Sequence, residues 1–92
     1  MCNDPLLLRD LKLDLGISSD AFDVRLASRL KTAKQWIEAE GAALTDREGD
    51  RELGVMYAAW LWRSRVTGEG MPRMLRFALN NRVFGEKAGG DT

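Results

Sequence analysis

Residues 53–67, Leu-Gly-Val-Met-Tyr-Ala-Ala-Trp-Leu-Trp-Arg-Ser-Arg-Val-Thr, decide the fold. On a helical wheel Leu53, Met56, Tyr57, Trp60 and Leu61 make one apolar face, while Val55, Ala58, Ala59 and Trp62 populate the other side. Thr45-Asp46-Arg47-Glu48 just upstream has capping-box spacing, with a hydroxyl at the N-cap and a carboxylate three residues on. Gly68 supplies the stop. These signals predict a helix from about Asp46 to Thr67. A helix apolar most of the way round is either central in its fold or shared between subunits, and in a chain of 92 residues the reading favours subunit contact.

Working outward, the flanking segments are also helical. Ser18, Ser19 and Asp20 should open a long helix that ends near Glu40, before Gly41. At 100° per residue Phe22, Leu26, Leu30, Ala33 and Ile37 fall in a sector about 80° wide, with Asp23, Lys31, Lys34 and Glu38 opposite. Asp4 followed by Pro5 reads as a cap with proline at the first helical position, so a short helix of about Pro5–Leu15 should end at Gly16. Beyond the breaker Gly68-Glu69-Gly70-Met71, Pro72 should restart a fourth helix that runs to about Val83. No strand-like alternation persists anywhere. The expectation is an all-α, four-helix domain over residues 1–84 with a flexible tail over 85–92.

Composition narrows the function. Lys+Arg and Asp+Glu each total 14, for zero net charge and a pI near 6.2, which argues against a general nucleic-acid coat or an electrostatic membrane binder. The chain has no histidine, which removes Ser-His-Asp and Cys-His nucleophile systems and His-based zinc sites. Cys2 is the one cysteine, so an internal disulfide is excluded and a reducing interior is expected. Charged residues interrupt the N-terminal leucines, leaving no signal-peptide core, and the longest apolar run, Val55–Trp62, is far short of the ~20 residues of a membrane span. A soluble intracellular chain without cofactor or metal is expected.

Candidate constellations are then few. Gly68-x-Gly70 has Arg73 where a third glycine would stand and no strand before it, so a turn is preferred to a phosphate loop. The carboxylate pairs Asp20/Asp23, Asp46/Glu48 and Asp50/Glu52 sit in first turns, where they complement helix N-termini. Charge is uneven along the chain: residues 1–62 hold 8 basic and 11 acidic side chains, residues 63–92 hold 6 and 3. On the fourth helix Met71, Leu75, Ala78 and Leu79 face one way, and Arg73, Arg76, Phe77, Asn80 and Phe84 the other. Arginine interleaved with phenylalanine is the composition of protein–protein hot spots. Arginine and asparagine on one helix can also read guanine and adenine edges, so a helix-turn-helix-like DNA-binding regulator using the basic helix 72–83 is the alternative.

The order of these segments is familiar. Leu15-Gly16-Ile17, Trp36-Ile37-Glu38, Leu44-Thr45-Asp46, Met56-Tyr57-Ala58-Ala59-Trp60-Leu61 with Arg63 and Arg65, and Met71-Pro72-Arg73-Met74-Leu75-Arg76 closing in Leu79-Asn80-Asn81-Arg82 together resemble the small head–tail connector proteins of tailed bacteriophages and prophages, the head-completion adaptors beneath the portal. The likeness spans about residues 5–87. It implies a non-enzymatic, all-α virion protein at the head–tail junction, present in the host cytoplasm before assembly. It further implies a homo-oligomeric ring, twelve-fold in the particle, seated on the portal protein and offering a surface to the next connector or tail-completion protein, with DNA in non-specific passage and no membrane contact. Onto this sequence the resemblance carries an interface of Trp62, Arg63, Arg65, Met71, Pro72, Arg73, Met74, Arg76, Phe77, Asn80, Asn81 and Arg82. A head-to-tail ring would join an acidic patch near residues 46–52 of one copy to the basic patch near residues 73–82 of the next.

Overall fold

The computed structural model describes residues 5–45, 47–68 and 70–90, with side chains from Leu6 to Phe84; Cys2, Asp4, Asp46, Glu69 and residues 91–92, which the sequence reading used, lie outside them. Four helices follow one another: α1 (Pro5–Leu15), α2 (Asp23–Glu40), α3 (Glu48–Thr67) and α4 (Arg73–Gly90), and no strand occurs among the described residues. The all-α expectation holds.

The stops are where glycine permits them. Gly16 (φ 73) lets its own N–H reach the Leu13 carbonyl at 3.3 Å and the Ile17 N–H reach Lys12 at 2.9 Å, which satisfies carbonyls that the helix leaves open. Gly41 repeats the device at φ 117, with its N–H bonded to Glu38 and that of Ala42 to Ile37. Alanine at position 41 would carry a Cβ into the left-handed region, so Gly41→Ala should cost about 1–2 kcal/mol, read as a lower urea midpoint at unchanged slope.

The starts differ from expectation. α2 begins at Asp23 rather than at Ser18–Asp20, because the Ser19 hydroxyl accepts the Ala21 N–H at 3.1 Å and Asp20 is held by Lys12 at 3.0 Å, leaving neither to cap the helix. Lys12 also reaches Asp23 at 3.0 Å; Asp20 and then Asp23 hold its ammonium pKa above the ordinary lysine value and tie the end of α1 to the start of α2. The pair Asp20/Asp23 is therefore an ion-pair cradle as well as helix-end charge. α3 begins at Glu48, with Arg47 at its N-cap and no side-chain cap; in place of the expected Thr45–Glu48 capping box, the Thr45 N–H and hydroxyl both donate to the Asp50 carboxylate. α4 continues to Gly90 instead of stopping near Val83: no proline interrupts it, and Glu86, Lys87 and Ala88 are good helix formers.

The core is one cluster. Leu7 and Leu11 from α1, Leu26, Leu30, Ala33 and Ile37 from α2, Leu53, Val55, Tyr57, Ala58, Ala59 and Leu61 from α3, and Leu75 and Leu79 from α4 are all buried. α3 packs against each of the other three helices. That corrects the expectation of a helix shared between subunits: its second apolar side, Val55, Ala58 and Ala59, is covered by its own chain. Gly54, Ala58 and Ala59 are small, which lets neighbouring helices approach α3 from several directions.

Candidate protein–protein interface

α4 has an inner and an outer surface. Leu75 and Leu79 are buried and Ala78 and Val83 pack on the core, all within the inner half of the wheel, and Met71, just before the helix, packs on the core as well. Outside, Arg73, Phe77, Asn80 and Phe84 recur at alternating steps of four and three, the spacing of a straight seam along a helix. Phe77 is 67% and Phe84 74% exposed, and Met74 beside them is 77% exposed. Arg76 and Asn81 flank the seam and are exposed. Two phenylalanines and a methionine in water on one helix face are a large apolar surplus for so small a domain.

The loop before α4 is pinned rather than slack. Trp60 donates its indole N–H to the Gly70 carbonyl at 3.2 Å, and the Pro72 carbonyl accepts the Arg76 N–H at 3.0 Å, which starts the helix. Trp60 in turn stands edge-on to Tyr57 (5.5 Å), and Tyr57 to Trp36 (6.4 Å).

The structure thus gathers Arg73, Met74, Arg76, Phe77, Asn80 and Asn81, with Phe84, on one face, and places the remaining candidates elsewhere. Arg82 turns inward: its Nε donates to Asp50 Oδ1 at 2.6 Å, and its Nη2 donates to Asp50 Oδ2 at 3.2 Å and to the Ala43 carbonyl at 2.7 Å. The acidic and basic segments expected to join neighbouring copies therefore meet within one chain at this pair. Burial would raise the Asp50 carboxyl, but Arg82 and the Thr45 N–H and hydroxyl (2.9 and 2.7 Å) outweigh it and hold the pKa down to about 2. Met71 faces the core, and Pro72 is exposed at the start of the helix. Arg63 points to α1, where it bonds the Asp14 carbonyl at 3.3 Å and lies 3.6 Å from its carboxylate. Trp62 is half-buried, edge-on to Phe22 at 5.5 Å, with the Arg65 guanidinium 4.0 Å above its ring.

Two further surfaces escaped the sequence reading. Leu13 on α1 is 72% exposed and Leu6, seven residues earlier on the same face, 49%; Asp10, between them in sequence, lines a shallow cleft with Glu48, Arg51, Glu52 and Val55, and Leu13 lines a separate one with Lys12, Ile17 and Asp23. Exposed leucines at a seven-residue step were readable from the wheel, but the broad leucine face of α1 hid them. Arg25 and Arg29 on α2 converge with Arg65 around Trp62, a grouping that exists only once α2 lies against α3. Among the described residues no cluster of metal-ligating side chains occurs, and no helix is long and apolar enough to cross a membrane. Neither a protein-family model, nor a curated protein, nor a solved structure matches the chain.

Proposed function

We propose that the chain is a structural subunit of a protein assembly, and specifically the ring-forming adaptor between capsid portal and tail that its segments resemble. The observation that carries the assembly reading is the outer seam of α4, where Phe77, Phe84 and Met74 stand in water beside Arg73 and Arg76. The resemblance supplies the kind of assembly: a homo-oligomeric ring on the portal protein in the virion, made in the host cytoplasm, with a non-catalytic role and DNA passing through its channel. A helix presenting phenylalanines at the centre of its outer face suits a protein partner better than a DNA groove, which weighs against the regulator reading.

Within the ring the seam meets a different face of the next copy, because a contact between unlike faces is what closes into a ring. The cleft of Asp10, Glu48, Arg51 and Glu52, acidic on balance, complements it in charge, and Leu13, three residues along α1 from Asp10, adds exposed apolar surface. Light-scattering mass measurement of the chain with and without the portal protein of the same phage tests the reading. Stoichiometric rings on the portal are expected, and no association in that mixture would overturn it. Reversing Arg73 and Arg76 together to glutamate should weaken ring formation at least tenfold; rings of unchanged stability would dispose of the charge pairing.

A further inference from the structure

Between α2 and the end of α3 lies a groove of about 320 Å³ lined by Arg25, Ser28, Arg29, Trp62 and Arg65. Arg25 and Arg29 are one turn apart and so share an edge of α2. The start of α2 lies beside the end of α3, as the Phe22–Trp62 contact requires, and this brings Arg65 to the opposite wall. Among the described residues no carboxylate lines the groove. Elsewhere the basic side chains Arg9, Lys12, Arg63 and Arg82 each find an aspartate within 4 Å, yet Arg25, Arg29 and Arg65 form no ion pair among the described residues. A chain of zero net charge has thus left three cations side by side, an arrangement that repels itself until an anion enters.

We propose that this groove binds the phosphodiester backbone of nucleic acid, without regard to base sequence. Guanidinium groups present a planar fork matched to phosphate oxygens, and the Ser28 hydroxyl adds a donor of the kind that commonly contacts phosphates. The Trp62 ring holds the Arg65 guanidinium at 4.0 Å, which removes part of the entropy cost of fixing it on a ligand. Arg25 and Arg29 are spaced about 6 Å along their helix. The charges are therefore strung along an open groove instead of closing on one point, which suits successive phosphates of a strand better than a single anion. The site uses nothing on α4, so it stands or falls separately from the assembly reading.

The test is a titration of a labelled mixed-sequence duplex with the full chain at several salt concentrations. Three phosphate contacts give a slope of about −2.7 in log K against log salt, and hence about 40-fold weaker binding between ~50 and ~200 mM salt. The combined Arg25→Gln, Arg29→Gln and Arg65→Gln variant should lose that slope, the corresponding lysine variant should keep it, and Arg73→Gln with Arg76→Gln should leave it unchanged. All these positions are exposed or half-buried, so a helical circular-dichroism spectrum like that of the parent is expected for each variant. Inorganic phosphate at matched phosphate concentration should compete poorly. Three results would each overturn the site: no binding at the lowest salt, a slope that survives the glutamine variant or vanishes with Arg73 and Arg76, or full competition by free phosphate.

Discussion

Arg82→Met should lower the stability of the fold by about 3 kcal/mol, a fall of roughly 12–24 °C in midpoint for a domain of this size. The methionine keeps most of the side-chain volume, so lost packing is not the cause. The cause is Asp50, whose side chain is only 7% exposed and which would keep Thr45 as its partner but lose the cation 2.6 Å away. The same change unfastens the middle of α4 from the α2–α3 loop, since Arg82 also holds the Ala43 carbonyl. The pH dependence has a definite sign. A carboxyl at about 2 in the fold and 3.8 when free contributes stability that is fully present above pH 3.8 and is lost as pH falls through about 2, some 2 kcal/mol in all. Acid unfolding of the parent should show that limb, and in the variant it should be largely gone. A variant with unchanged midpoint at neutral pH would mean that the pair contributes nothing net.

If the chain assembles through the α4 seam as proposed, Phe77→Ser together with Phe84→Ser should abolish that association while leaving the monomer intact. Each ring is about two-thirds or more in water, so the folded chain gives up little and its stability should move by no more than about 0.5 kcal/mol. At an interface centre, by contrast, an aromatic anchor is worth about 2 kcal/mol or more, and losing two should weaken association at least ~100-fold. Mixing sharpens the result. If the seam docks on the α1 face, a Leu13→Ser chain retains a good seam and the doubly substituted chain retains a good α1 face. The two together should then form a one-to-one pair that neither forms alone. Rings from the phenylalanine variant would remove the seam from the assembly.

Much of the fold was legible because its signals are local. Pro5, Gly16, Gly41 and Gly68 mark helix boundaries through backbone geometry, and Leu26, Leu30, Ala33 and Ile37 form the buried face of α2 as the wheel predicts, whereas Phe22, expected at the head of that stripe, sits at the N-cap and is 40% exposed. What was missed depends on residues distant in sequence. A wheel shows that α3 is apolar all round but not what covers it, and the answer is three other helices of the same chain. The resemblance puts Arg82 in the interface with the other arginines, although 100° steps place it between Leu75 and Ala78, on the inner side. A guanidinium there requires a buried acid, and that acid stands 32 residues earlier. Asp50 was likewise read as helix-end charge, which it also is, because the loop that brings Thr45 onto it is visible only in three dimensions. Of the candidate interface, the α4 seam came from periodicity, and the arginine groove required the packing of α2 on α3.

The place of α3 bears on how the chain is made. Synthesis delivers α1 and α2 first, with their leucines aimed at a helix that has not yet left the ribosome. Until residue 67 emerges the α1–α2 pair lacks the helix against which both of its members pack. α4 then arrives last, onto a support already in place, with its phenylalanines still facing outward.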